Sequence, residues 1–267
     1  MKYIIDNDLH IHTRLSSCSQ DDEQTPERIL QYAKDNNLKT ICITDHFWDE
    51  NVPGVSAWYA PQNYASISKS LPLPKDDNVR FLFGCETDLD KFLTLGISKE
   101  KFDKFDFIII PTTHLHMEDR FTLSEEEAST IEGRAKAWVT RLEAVLNMDL
   151  PFHKIGIAHL VTNGIYHYTH EGHLEALNLI PDDDLIRLFT KAASLGVGIE
   201  LNSYDMDFAD EDADIILRPF KIAKKCGCKF YLGTDAHHPD KFETANRIFS
   251  RAIDMLELEE TDKFVLK

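Results

Sequence analysis

The sequence predicts an α/β fold built around a parallel sheet, and two observations carry that prediction. Seven short apolar runs alternate with longer amphipathic stretches, which is the pattern of repeated βαβ units. Almost every His, Asp or Glu of chemical interest falls at the C-terminal end of one of those runs, where α/β folds build their sites. An open doubly wound sheet and a closed barrel both accommodate the alternation. The strand-end clustering favours a barrel.

The predicted strands cover residues 3–5 running on toward 11, then 40–44, 79–84, 107–111, 155–158, 198–201 and 230–233. They are nearly continuous apolar runs, as expected of strands covered on both faces. Thr25-Pro26-Glu27 supplies an N-cap, a proline at the first helical position and an early acid, predicting a helix to about residue 36. Ser124 through Glu127 reads as a capping box opening a long helix toward Leu146. Helices are also predicted over 181–195, 210–225 and 239–256, with Gly196 and Gly227 placed to end two of them. No repeat, low-complexity tract or Gly/Ser/Pro-rich linker divides the 267 residues, so one domain spanning 1–267 is expected.

Charge narrows the function. The chain carries 29 Lys+Arg against 46 Asp+Glu, a formal charge of −17, with 43% hydrophobic residues. That composition excludes disorder as the main state. The negative field disfavours nucleic acid and acidic membranes as partners. No apolar run approaches the roughly 20 residues of a membrane span, and the start turns acidic too early for a secretory leader. A cytoplasmic location is expected. The five cysteines (Cys18, Cys42, Cys85, Cys226 and Cys228) are odd in number and scattered, which suits reduced thiols rather than a disulfide framework.

The strand ends are the informative positions. Asp8-Leu9-His10-Ile11-His12 closes the first strand, and residues two apart on a strand face the same way. His10 and His12 therefore offer two imidazoles to one point, which suits a divalent transition metal. Thr44-Asp45-His46, Glu86, His114, His159, Glu200-Leu201-Asn202 and Asp235-Ala236-His237 close the following six. A single histidine at a strand end is ordinarily a surface or capping residue. Metal-ligand residues at strand end after strand end are not explained that way, and they point to a multinuclear metal site.

The combination His10-Ile11-His12-Thr13, Thr44-Asp45-His46, Glu86, His114, His159 and Gly233-Thr234-Asp235-Ala236-His237 resembles the motif set of the PHP (polymerase and histidinol phosphatase) domain, from about residue 6 to residue 240. The resemblance implies a distorted (β/α)7 barrel. It also implies two or three divalent ions (Zn, Mn or Fe) that hydrolyse phosphate esters. It places the ligands on His10, His12, His46, Glu86, His114, His159, Asp235 and His237, with Glu86 bridging two metals. One position departs. Where many members carry a histidine six residues after the second histidine of the first motif, this chain has Cys18. Asp21 or Asp22 is expected to take that place, with a Cys18 thiolate as the alternative.

Such ions would draw an anionic substrate to an acidic protein, since they are the largest local charges. A small phosphomonoester is the expected substrate. Arg14, just after the His-x-His-Thr turn, is placed to clamp a phosphate oxygen, and His116, two residues beyond His114, to hydrogen-bond substrate or protonate the leaving group. Residues 166–173, rich in Tyr and His, read as an insertion over the barrel mouth, and Trp48, Trp58 and Tyr59 as part of a lid. Glu200 and Asn202 read as support for the ligands. Histidinol phosphate is one named substrate, though Thr44-Asp45-His46 and the Cys18 loop differ from that enzyme's usual motifs. An amidohydrolase-like C–N hydrolase is a further alternative, but it wants a metal-bridging lysine that no strand end here supplies.

Overall fold

The computed structural model describes residues 1–19, 21–117 and 120–266. Seven strands form one sheet in sequence order: β1 (Asn7–Ile11), β2 (Thr40–Ile43), β3 (Arg80–Glu86), β4 (Phe107–Pro111), β5 (Ile155–Ala158), β6 (Gly198–Asn202) and β7 (Lys229–Gly233). Every neighbouring pair is parallel. The first and last strands meet at the C-terminal end, where Asp235 N donates to His10 O at 2.7 Å and His12 N to Ala236 O at 3.1 Å. Toward the other end, Leu232 N is satisfied by the Asn7 side chain at 3.1 Å. The result is the nearly closed (β/α)7 barrel that the strand-end pattern favours.

The barrel interior is apolar below the site. Leu9, Cys42, Leu82, Phe107, Ile109, Ala158 and Tyr231 form one buried cluster with Phe264 and Leu266 of the C-terminal segment. Phe107 and Tyr231 stand on strands that are not neighbours, yet their rings meet edge-on at 5.2 Å, a contact made across the barrel. Burying each large side chain contributes roughly 1.5–3 kcal/mol, so this plug holds the strand ends in place.

Nine α-helices are assigned among the described residues: α1 (Pro26–Asp35), α2 (Tyr64–Ile67), α3 (Glu125–Ala128), α4 (Ile131–Asn147), α5 (His170–Asn178), α6 (Asp182–Leu195), α7 (Ala213–Ile216), α8 (Arg218–Lys225) and α9 (Phe242–Met255). Thr25 caps α1 by accepting from Arg28 N. No helix is long and apolar enough to cross a membrane.

The structure departs from the sequence reading in four places. Residues 3–5 lie outside β1, because Tyr3 N pairs with Leu258 O and its hydroxyl with Phe230 O. The predicted 124–146 helix is two helices: the Ser124–Glu127 capping box closes a single turn, and Thr130 then caps α4 through Gly133 N. The predicted 210–225 helix also breaks, since Pro219 lies in the first turn of α8 and has no N–H to carry α7 onward. Within the presumed insertion at 166–173, Thr169 accepts from Gly172 N at 3.0 Å and starts α5.

Candidate metal centre

Seven side chains from the strand ends converge in three overlapping donor groups: His10, His12 and Glu86; Glu86, His114 and His159; and His12, His46 and His237. Asp235 joins the first. Its Oδ1 lies 3.4 Å from His10 Nε2 and 3.2 Å from His12 Nε2. Glu86 Oε2 stands 3.5 and 3.3 Å from the same nitrogens, which are 3.1 Å apart. Four donors bound at roughly 2.0–2.1 Å around a tetrahedral zinc would be separated by about 3.3 Å. The first group has that spacing. Glu86 reaches the second group through its other oxygen, with Oε1 at 3.1 Å from His159 Nε2 and 3.9 Å from His114 Nε2. A carboxylate shared in this way can bridge two cations.

The surrounding hydrogen bonds fix which nitrogen faces inward. Ser16 Oγ donates to Asp45, so His12 Nδ1–H is the donor in its 2.9 Å contact with Ser16. Thr113 Oγ1 donates to the His159 carbonyl, so His159 Nδ1–H donates back to Thr113 at 2.9 Å. His10 Nδ1–H donates to Glu200 at 2.7 Å, His114 Nδ1–H to Asp88 at 2.8 Å and His237 Nδ1–H to the Asp235 carbonyl at 2.8 Å. All five rings thus turn Nε2, the nitrogen free to bind a cation once its proton leaves, toward the centre. His46 Nδ1 and Glu86 Oε2 are buried 2.9 Å apart with no hydrogen-bond partner. Ring nitrogens and carboxylate oxygens gathered this closely need protons or a cation between them, and a bound cation satisfies them all at once. The residues fit a metal cluster.

Charge tells the same story. Burial would raise Glu86, but His46, His10 and His12 hold it well below the usual carboxylate range. Burial likewise opposes charging His159, yet the Glu86 hydrogen bond and nearby carboxylates lift it to about 9. His10 and His12 are also raised against burial, by Glu200, Asp235 and Glu86. Protons stand in where cations would sit. His159 and Asp235 adopt left-handed backbone angles, with φ of 29° and 53°, at a cost of about 1–3 kcal/mol each for a non-glycine residue. That strain sits on two of the donors.

The sequence matches the PHP domain family over residues 8–203. This chain belongs to the PHP family. No curated protein sequence matches it. Among solved structures the PHP barrel is similar to histidinol phosphate phosphatase from Lactococcus lactis subsp. lactis, solved with zinc, L-histidinol and phosphate. Identity is 17%, the TM-score is 0.54, and 92% of this chain and 93% of that one are covered. It is also similar to a candidate histidinol phosphatase from Listeria monocytogenes, at 12% identity and a TM-score of 0.58 over 88% and 96% of the two chains. At these identities the likeness concerns the fold.

A cavity of about 790 Å³ opens over the PHP donor cluster, and His114, His116, His159, Asp235 and His237 line it. His116 is exposed at the rim, and desolvation together with His114 and His159 lowers it to about 4. His170 and His173 of α5 stand on the far wall, where the sequence put the mouth-covering segment. Trp48 and Tyr59 pack with Phe121 in a buried cluster, and Trp58 meets His46 edge-on at 4.9 Å.

Arg14 is not among the cavity-lining residues; it faces Asp22 at 3.8 Å, both side chains exposed. Asp21 accepts from Glu23 N and lies 3.5 Å from His238. Neither Asp21 nor Asp22 enters a donor group, because the Asp21 turn points both carboxylates away from the cluster. Cys18 lines the cavity but enters no donor group either. Sequence reasoning missed Asp88 and Arg141. Asp88 follows Glu86 by two residues and repeats the His-x-His spacing. Its Oδ2 takes the His114 proton and its Oδ1 pairs with the buried Arg141 at 2.9 Å.

Proposed function

We propose that this PHP protein is a metal-dependent phosphoesterase that hydrolyses a small phosphomonoester. The observation that carries the reading is the set of five inward Nε2 atoms around Glu86 and Asp235, every one oriented by an outward Nδ1 hydrogen bond. The proposed ligands are His10, His12, Glu86 and Asp235 for one ion, and Glu86, His114 and His159 for a second. His46 and His237 stand at the edge of a third position. Bound divalent cations supply Lewis acidity toward a phosphoryl group and lower the pKa of water toward neutrality.

The chain's own residues do the rest. Glu200, Asp88, Thr113 and Ser16 hold the imidazoles in one tautomer and one orientation. His116, neutral at physiological pH, is proposed to hydrogen-bond the leaving oxygen from the cavity rim rather than to act as a charged acid. The cavity volume suits a small metabolite. The negative charge away from the cluster works against a long polyanion.

The solved neighbour that holds L-histidinol, zinc and phosphate makes histidinol phosphate a natural member of a substrate panel. The test is a screen of phosphomonoesters, phosphodiesters and amides with and without added Mn or Zn. Metal-dependent release of inorganic phosphate from a monoester is expected. Cleavage of amides alone would overturn the reading in favour of an amidohydrolase.

A further inference from the structure

The cavity over the donor cluster has a far wall built from α5 and from the segment that follows β6. His170 and His173 of α5 line it, with Asp205, Asp207 and Asp212 of that segment. Three of these groups are paired within the protein. Asp207 faces Arg247 at 3.6 Å, and Asp212 Oδ2 lies 3.0 Å from His170 Nε2.

Asp205 and His173 are not so fully paired. They are 5% and 7% exposed. Val161, just beyond β5, engages both: its N donates to Asp205 Oδ2 at 3.1 Å, and its backbone also hydrogen-bonds the His173 ring. That leaves Asp205 Oδ1 and His173 Nδ1, each buried without a hydrogen-bond partner. A buried polar atom left unpaired costs about 1–3 kcal/mol. Two of them on one cavity wall mark a place for the polar groups of a ligand.

The chemistry of the pair decides which groups. Burial and the nearby His170 hold His173 below the ordinary histidine range, so its ring is neutral. Among the described residues no Lys or Arg lines the cavity, and a second anionic group on the substrate would find no cationic side chain there. An ammonium group is disfavoured too, because the cations of the proposed metal centre share the cavity and repel it. A hydroxyl suits both atoms. It donates to the carboxylate oxygen, and it donates or accepts to match either tautomer of the imidazole.

Resting on the phosphoesterase reading above, we propose that Asp205 and His173 form a subsite for neighbouring hydroxyls of the leaving alcohol, so that the substrate is the monophosphate of a polyol or sugar. The volume of about 790 Å³ leaves room for a chain of several carbons between the donor cluster and this wall. A site built to hydrogen-bond a hydroxyl rejects the analogue that lacks it, since its own buried groups then stay unpaired.

The test compares kcat/KM of the full-length, Mn²⁺- or Zn²⁺-loaded protein on a matched set of six-carbon monoesters: sorbitol 6-phosphate, hexyl phosphate, 6-aminohexyl phosphate and 6-phosphogluconate. Sorbitol 6-phosphate should be the best, by about tenfold or more over hexyl phosphate. Asp205→Asn and His173→Phe should each cut that ratio about tenfold with metal content as in the wild type. Asp207→Asn, on the same wall, should keep the ratio. A preference for any other ester of the set overturns the subsite and leaves the phosphoesterase reading standing. So does a ratio that survives both variants, an equal fall in Asp207→Asn, or a loss of bound metal in Asp205→Asn. A protein that hydrolyses no monoester with either ion removes both readings.

Discussion

The Glu200 carboxylate accepts the His10 Nδ1 proton at 2.7 Å with its Oε1, and its Oε2 accepts from His159 N at 2.7 Å. One buried acid therefore orients two donors on opposite sides of the barrel mouth. Glu200→Gln keeps the volume but puts an amide where two donors need acceptors. Metal affinity is expected to fall about 10–100-fold, the usual effect of losing such an outer partner. A competitive chelator titration reads it, and unchanged affinity would show that His10 needs no help from Glu200.

Gly233 supports the same contact. A Cβ there would collide with Glu200 Oε1 and come within 2.7 Å of His10 Cβ. The backbone at Gly233 has no unusual φ, so the requirement is for space alone. Gly233→Ala should therefore lower metal affinity as Glu200→Gln does, by displacing the acid. Combining the two changes should cost less than the sum of the singles, because both act through one side chain. Full additivity in the chelator titration would contradict this.

Arg141 is the buried post behind the second donor group. Its guanidinium donates to the carbonyls of Thr112, Asp90, Thr122 and Leu89 and pairs with Asp88, which holds His114. Arg141→Met would strand the Asp88 charge and four carbonyls. A stability loss of about 3–5 kcal/mol is expected, read by urea denaturation of the metal-free protein. A loss under about 1 kcal/mol would mean that the Asp88 charge is satisfied elsewhere.

Strand order and most donors were legible in the sequence because each depends on a short stretch. His-x-His on a strand, Glu86 after an apolar run and Asp-Ala-His after Gly-Thr are all local patterns. What escaped depends on distance or turn chemistry. Arg141 reaches Asp88 across 53 positions, and nothing near either residue announces the pair. The turn at Asp21 sets that acid beside His238 and leaves Asp22 near Arg14, and periodicity carries no information about it. The start of α5 rests on Thr169 as a cap, a signal outweighed by the polar, aromatic run around it.

Metal binding should depend on pH through His159. In the metal-free protein its pKa is raised to about 9 from 6.5, so the folded state holds a proton that the unfolded chain releases. That contribution to folding is fully present below about pH 6.5 and is lost as pH rises through 9. A cation must displace the same proton, so metal affinity should climb over this interval. Calorimetric titration with Zn²⁺ in two buffers of different ionisation enthalpy should show proton release at pH 7. Release of no protons would mean that the cluster is already deprotonated without metal.

The most direct measurement follows metal content and p-nitrophenyl phosphate hydrolysis in the same samples of wild type and His12→Ala, before and after chelation. The wild type should hold at least two ions, lose activity when stripped and regain it with Mn²⁺ or Zn²⁺. His12→Ala removes a proposed ligand of the first ion and should fall by more than about a hundredfold, with less metal bound. Full turnover in the stripped wild type, or in His12→Ala, would contradict a metal-dependent phosphoesterase at this centre.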